Sequence, residues 1–124
     1  MAKRILIADD EPNIVISLEY LMRREGYEVG VARDGNEALE MIRRQPPDLV
    51  LLDAMMPGKS GFEVCQQVRA DEALGSVRIL MLTAKGREND MTKGKALGVD
   101  AYVVKPFSTR DLAEQVRDIL DSPR

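Results

Sequence analysis

Leu49-Val50-Leu51-Leu52-Asp53-Ala54-Met55-Met56-Pro57 is the stretch that decides the fold. Its four apolar residues follow one another without a polar interruption, as expected of a strand covered on both faces; a strand with one wet face would alternate. Ile79-Leu80-Met81-Leu82 repeats the pattern later in the chain. Strands of this kind belong to parallel sheets sandwiched between helices.

Outward from these two runs, β-rich segments at Arg4–Ala8, Glu28–Ala32, Leu49–Leu52, Arg78–Leu82 and Ala101–Val104 alternate with five amphipathic helical patterns. The first helix opens near Pro12, carries Ile14, Val15, Leu18, Leu21 and Met22 on one side and stops at Gly26. The second begins after Asp34 with Glu37 three residues on, and the fifth after Ser108 with Asp111 three residues on, both in the pattern of a capping box. The third is expected from about Gly61 to Ala70, and the fourth from about Glu88 to Leu97 with Gly98 past its end. Lys85 to Lys95 holds two glycines and few apolar residues, which predicts a fourth helix that is short or mobile. Parallel neighbours require right-handed crossovers with helices on both faces, so the expected fold is α/β with one doubly wound sheet.

The 124 residues suit one domain, expected over 1–120, with the fifth helix ending at about Leu120 and 121–124 as a tail or the start of a linker. Apolar residues at 44% and charged residues at 31% fit a globular chain, and no apolar stretch approaches the roughly 20 residues that a membrane-spanning helix needs. Met1-Ala2-Lys3-Arg4 leads straight into a strand without the features of a secretory signal, so the cytoplasm is the expected compartment. The single cysteine, Cys65, lies among Phe62, Val64 and Val68 on the apolar side of a helix and is expected to pack in the core. The absence of histidine excludes ordinary zinc sites, histidine acid–base catalysis and a phosphohistidine on this chain. A net charge of −3 gives no general basic footprint for nucleic acid, so no direct nucleic-acid binding is expected.

Ligand sites in doubly wound sheets lie beyond the carboxyl ends of the strands. There the chain carries Asp9-Asp10-Glu11, Asp53, Thr83-Ala84 and Lys105-Pro106. With the central strands adjacent, Asp9, Asp10 and Asp53 converge, and their repulsion demands a cation or raised pKa values. Oxygen-only ligands point to Mg2+, which takes one or two carboxylates and accepts phosphate oxygens. Lys105 offers a fixed positive charge, Thr83 a hydroxyl and Ala84 a backbone amide for the remaining phosphoryl oxygens, making a covalent phosphate on Asp53 chemically reasonable. Helix capping competes for the first cluster, since Asp10 or Glu11 can serve the first helix as well as a metal.

Ile5-Leu6-Ile7-Ala8-Asp9-Asp10-Glu11, Leu51-Leu52-Asp53-Ala54-Met55-Met56-Pro57-Gly58, Leu82-Thr83-Ala84 and Tyr102-Val103-Val104-Lys105-Pro106-Phe107 together resemble the CheY-like receiver domains of bacterial response regulators, over essentially the whole chain. The resemblance implies a five-stranded sheet in the order 2-1-3-4-5, the flavodoxin-like order already known for this family. It implies Asp53 as phosphoacceptor, Asp10 as a direct Mg2+ ligand, Asp9 as a direct or water-mediated one, and the backbone carbonyl of Met55 as a further ligand. Lys105 would pair with the phosphate, the Lys105-Pro106 bond would be cis, and Thr83 with Tyr102 would form a switch. The surface that changes would be the fourth helix, fifth strand and fifth helix, which also offers a homodimer contact. Family members that bind DNA often carry a second acidic residue before the aromatic, where this chain has Ala101, which counts against their dimer contacts here. The donor implied is a histidine kinase or phosphotransfer protein, and the only chemistry catalysed is the chain's own phosphotransfer and dephosphorylation. Two rivals are an aspartyl-phosphate phosphohydrolase, which commonly has a second Asp where Met55 stands, and a receiver-like interaction module that is never phosphorylated.

Overall fold

The computed structural model describes residues 2–84 and 88–122, apart from the side chains of Glu88, Asp90 and Met91. Lys85 to Arg87, part of the segment expected to weaken the fourth helix, and Pro123-Arg124 of the expected tail lie outside the described residues. Strands β1 (Arg4–Ala8), β2 (Glu28–Ala32), β3 (Leu49–Asp53), β4 (Arg78–Ala84) and β5 (Ala101–Lys105) alternate with helices α1 (Pro12–Arg24), α2 (Gly35–Arg44), α3 (Gly61–Ala70), α4 (Glu88–Leu97) and α5 (Thr109–Asp121). All pairings are parallel and the order is β2-β1-β3-β4-β5. The chain moves outward from β1 to β2 and then returns across β1 to β3. The two crossovers therefore use opposite faces, and the crevice between them opens at the carboxyl ends of β1 and β3.

Strand alternation divides the core. Ile5, Ile7, Leu49 and Leu51 face α1 and α5, where Leu18, Met22, Leu112 and Val116 cover them. Leu6, Val50, Leu52 and Met81 face α2 and α3, covered by Leu39, Ile42, Val64 and Cys65. β3 is buried along its whole length, as its unbroken apolar run requires. Each such Leu or Ile contributes about 1.5–3 kcal/mol by leaving water.

Three strands run further than their apolar runs suggest, through Asp53, Ala84 and Lys105. Ladder bonds are made by backbone, so pairing continues in register past the last apolar residue, with Asp53 opposite Leu82 and Ala84 opposite Lys105. The expected capping boxes are corrected. At α2 the Asp34 side chain accepts from the Glu37 amide, but Glu37 bonds the Arg33 amide instead of that of Asp34. At α5 Ser108 accepts from the Asp111 amide, and Asp111 is too short to match the long reach of a Glu. The complete box is at α3, where Ser60 and Glu63 bond each other's amides at 3.2 Å.

The fourth helix has the expected bounds, Glu88–Leu97, and matches α2 and α3 at 10 residues although its composition argued for a short or mobile one. Tertiary contacts outweigh its poor propensity. Arg69 of α3 donates to the Gly98 carbonyl at 2.9 Å and pairs with Asp100, while the Cys65 Sγ lies 3.5 Å from the Leu97 carbonyl. Among the described residues no helix is long and apolar enough to cross a membrane.

Candidate functional site

Strand alternation selects which polar groups meet. Asp53 continues the Leu49–Leu51 face of β3, Lys105 the Ala101–Val103 face of β5, and Asp9 the Ile5–Ile7 face just past β1, so all three lie on the α1/α5 side of the carboxyl edge. Because β1 neighbours β3, carboxylate oxygens of Asp9, Asp10 and Asp53 come within 4.8 Å of one another. Asp9 is 0% exposed and Asp53 6%, whereas Asp10 is exposed.

Burial and the facing Asp9 carboxylate push the Asp53 carboxyl up to about 7, against the pull of Lys105 and of the Met55 amide, with Asp10 adding to the rise. The Lys105 Nζ lies 3.0 Å from Asp9 Oδ2, 3.1 Å from Glu11 Oε1 and 3.6 Å from Asp53 Oδ1. Burial works to lower its pKa, but the surrounding carboxylates prevail and raise it, so the ammonium is held charged.

For Glu11, placed at this edge by the sequence, the role that sequence reasoning missed is its pairing with Lys105. It occupies the N-cap of α1 but makes no side-chain cap bond there, so the capping alternative does not hold for the Glu11 side chain. Its carboxylate goes to Lys105 instead, and its amide donates to Asp9 Oδ1 at 2.9 Å. Both Asp9 oxygens thus carry protein partners. The only sequence signal was a third acid after Asp9-Asp10, which spacing does not distinguish from a cap.

The end of β3 is fixed from below. The Met55 amide donates to Asp53 Oδ1 at 3.2 Å, while the Met55 side chain is 52% exposed. Gly61 opens α3 against this turn, its amide 2.9 Å from the Ala54 carbonyl, and a Cβ there would lie 2.2 Å from the Asp53 carbonyl oxygen. Only glycine permits that approach. α1 and α3 both begin at this edge, where helix N-termini favour anions.

The remaining predicted residues sit around the cluster. Ala84 stands opposite Lys105 at the end of β4, and the Lys105–Pro106 peptide is cis. Thr83, 2% exposed, and Tyr102 share the other face of the sheet, since Met81 is in register with Tyr102 and Thr83 with Val104. The Tyr102 ring packs on the α2/α3 core, and burial raises its hydroxyl pKa, with the nearby Cys65 thiol adding and the Lys95 amide opposing. Asp9, Asp53 and Lys105 therefore share one face, with the Asp10 carboxylate reaching them from the strand end, and Thr83 and Tyr102 share the other.

The donor set fits a hard cation, because its three carboxylates offer oxygen ligands alone. A divalent ion would also relieve the repulsion that raises Asp53.

A family model described as the response regulator receiver domain matches residues 5–117. Among solved structures, a protein assigned as a response regulator from Chloroflexus aurantiacus J-10-fl is 35% identical, with a TM-score of 0.94 over 98% of this chain and 100% of that one. The chemotaxis response regulator CheY4 of Vibrio cholerae is 31% identical, with a TM-score of 0.89 over 96% and 99%. The receiver domain of a sensor histidine kinase from Pseudomonas aeruginosa PAO1, solved with magnesium coordinated in its active-site cleft, is 29% identical, with a TM-score of 0.90 over 98% and 100%.

Proposed function

The chain belongs to the response regulator receiver domain family of two-component signalling, and on that premise we propose that Asp53 accepts a phosphoryl group from a histidine kinase or phosphotransfer protein. The observation that carries this function is the pairing of a nearly buried Asp53 with two further carboxylates and one charged lysine at the switch point of the sheet. A carboxylate oxygen of Asp53 attacks phosphorus, the P–N bond of the donor phosphohistidine breaks, and its imidazole leaves with the bonding pair. Hydrolysis of the resulting acyl phosphate by water returns the carboxylate and inorganic phosphate. The chain catalyses only these steps on itself.

Bound Mg2+ would offset the negative charge shared by the carboxylates and the phosphoryl oxygens. Asp10, Asp53 and the Met55 carbonyl would hold it. The two partners already on Asp9 favour a water between that residue and the metal. Lys105 would exchange a carboxylate partner for a phosphoryl oxygen, and Thr83 and the Ala84 amide would take the others. Movement of Thr83 on its face would be felt by Tyr102 one pleat away, and so by the α4-β5-α5 surface that meets an output domain, a partner or a second copy of the chain. Phosphorylation adds roughly −1.5 to −2 charge, enough to bias such a two-state surface. The chain would work in the cytoplasm, and with a net charge of −3 it would not bind nucleic acid directly.

Incubation with Mg2+ and acetyl phosphate is expected to add one acid-labile phosphoryl group, located on Asp53 by mass spectrometry and absent from Asp53→Ala. Unchanged mass, together with no response to beryllofluoride, would refute phosphoacceptance and favour an interaction module. Rapid multiple turnover of unrelated phosphate esters would instead support a phosphohydrolase.

A further inference from the structure

Gly94 stands inside α4, where glycine is a poor helix former, and it is buried. A Cβ added there would lie 2.3 Å from the Tyr102 hydroxyl oxygen and 2.9 Å from both Cε1 and Cζ of its ring. The ring therefore occupies the volume that any side chain at position 94 would take. The same ring rests on the α2/α3 half of the core, where Cys65 is buried. Its inward position thus has two walls, the core beneath it and the bare backbone of α4 beside it.

We propose that Gly94 is the positioning residue that lets Tyr102 lie inward before any phosphoryl group arrives, so that α4 sets the resting balance of the switch. This rests on Tyr102 acting as the switch residue proposed above, and it adds a control that Thr83 does not supply. With glycine at 94 the inward ring needs no movement of α4. With any larger residue, the ring and the new side chain compete for one space, and the flexible tyrosine yields before the helix backbone. Because ligand affinity scales with the populated fraction of the competent state, emptying the inward state weakens binding of any ligand that requires it.

The test compares the full chain with Gly94→Ala, a change that favours the helix itself. In the resting protein, NMR contacts from the Tyr102 ring to Cys65 are expected in the parent and lost in Gly94→Ala, with the melting temperature held or raised. The beryllofluoride concentration for half-saturation in Mg2+ should rise about 3–10-fold in Gly94→Ala. In a Tyr102→Ala background the Gly94→Ala change should have no further effect, since no ring remains to displace. Retention of the ring contacts with a midpoint within about twofold of the parent would overturn the role of Gly94, as would an equal shift in the Tyr102→Ala background. Failure of the parent itself to bind beryllofluoride would sink phosphoacceptance at Asp53, while the resting ring contacts would still decide the position of Tyr102.

Discussion

Asp53 bears the electrostatic cost of the site. Its folded pKa of about 7 stands above the ordinary 3.8 because burial and Asp9 disfavour its charge. The folded chain therefore holds a proton on Asp53 that the unfolded chain has released, so stability is greatest below about pH 4 for this group, falls as pH rises to about 7, and is level beyond. Asp53→Asn keeps the shape without the charge. In metal-free buffer it is expected to stabilise the chain by roughly 1–3 kcal/mol at pH 8 and by almost nothing at pH 4, as read by urea denaturation. Equal effects at both pH values would mean that packing, not charge, separates the two side chains. Asp9, Asp10, Asp53 and Lys105 were legible in the sequence because each ends or follows an apolar strand, and strand ends share one edge of a parallel sheet. The bridge from Glu11 to Lys105 was not, because it depends on the rotamers of two side chains far apart in sequence.

At the scale of elements, α3 decides how firmly the end of β3 is held. Ser60 and Glu63 fix where the helix begins, and Gly61 lets it touch the Asp53 carbonyl. A methyl at Gly61 would meet backbone atoms of Asp53 and Ala54, and neither can turn away like a side chain. Gly61→Ala should therefore shift α3, cost roughly 1–3 kcal/mol, and slow phosphorylation of Asp53 by acetyl phosphate. A variant with parental stability and rate would show that α3 does not brace the site. The elements themselves were readable from period: continuous apolar runs for β3 and β4, and helical spacing for α1. What escaped was tertiary. Ladder pairing carries β4 on to Ala84, and Arg69 and Tyr102 support an α4 whose own sequence argues weakly for a helix.

Across the whole molecule, the sheet order brings one end of every central strand to a single edge, so the fold concentrates acidic charge there while the overall net charge is only −3. A cation at that edge would bind the folded chain alone, because the unfolded chain does not hold Asp9, Asp10 and Asp53 within 4.8 Å. Linkage then requires Mg2+ to raise stability by about 1.4 kcal/mol at about ten times its dissociation constant. For a domain of this size that is a rise of roughly 4–8 °C in melting temperature. Screening by salt would also relieve repulsion, so sodium chloride at matched ionic strength is the necessary control. The Mg2+ increment should exceed that of the control in the parent and collapse to it in Asp10→Asn, which removes the exposed carboxylate while leaving the buried Asp9–Lys105 pair in place. An increment that survives Asp10→Asn would place the ion elsewhere. An increment no larger than that of sodium chloride would leave Lys105 as the counter-charge that the resting site uses among the described residues.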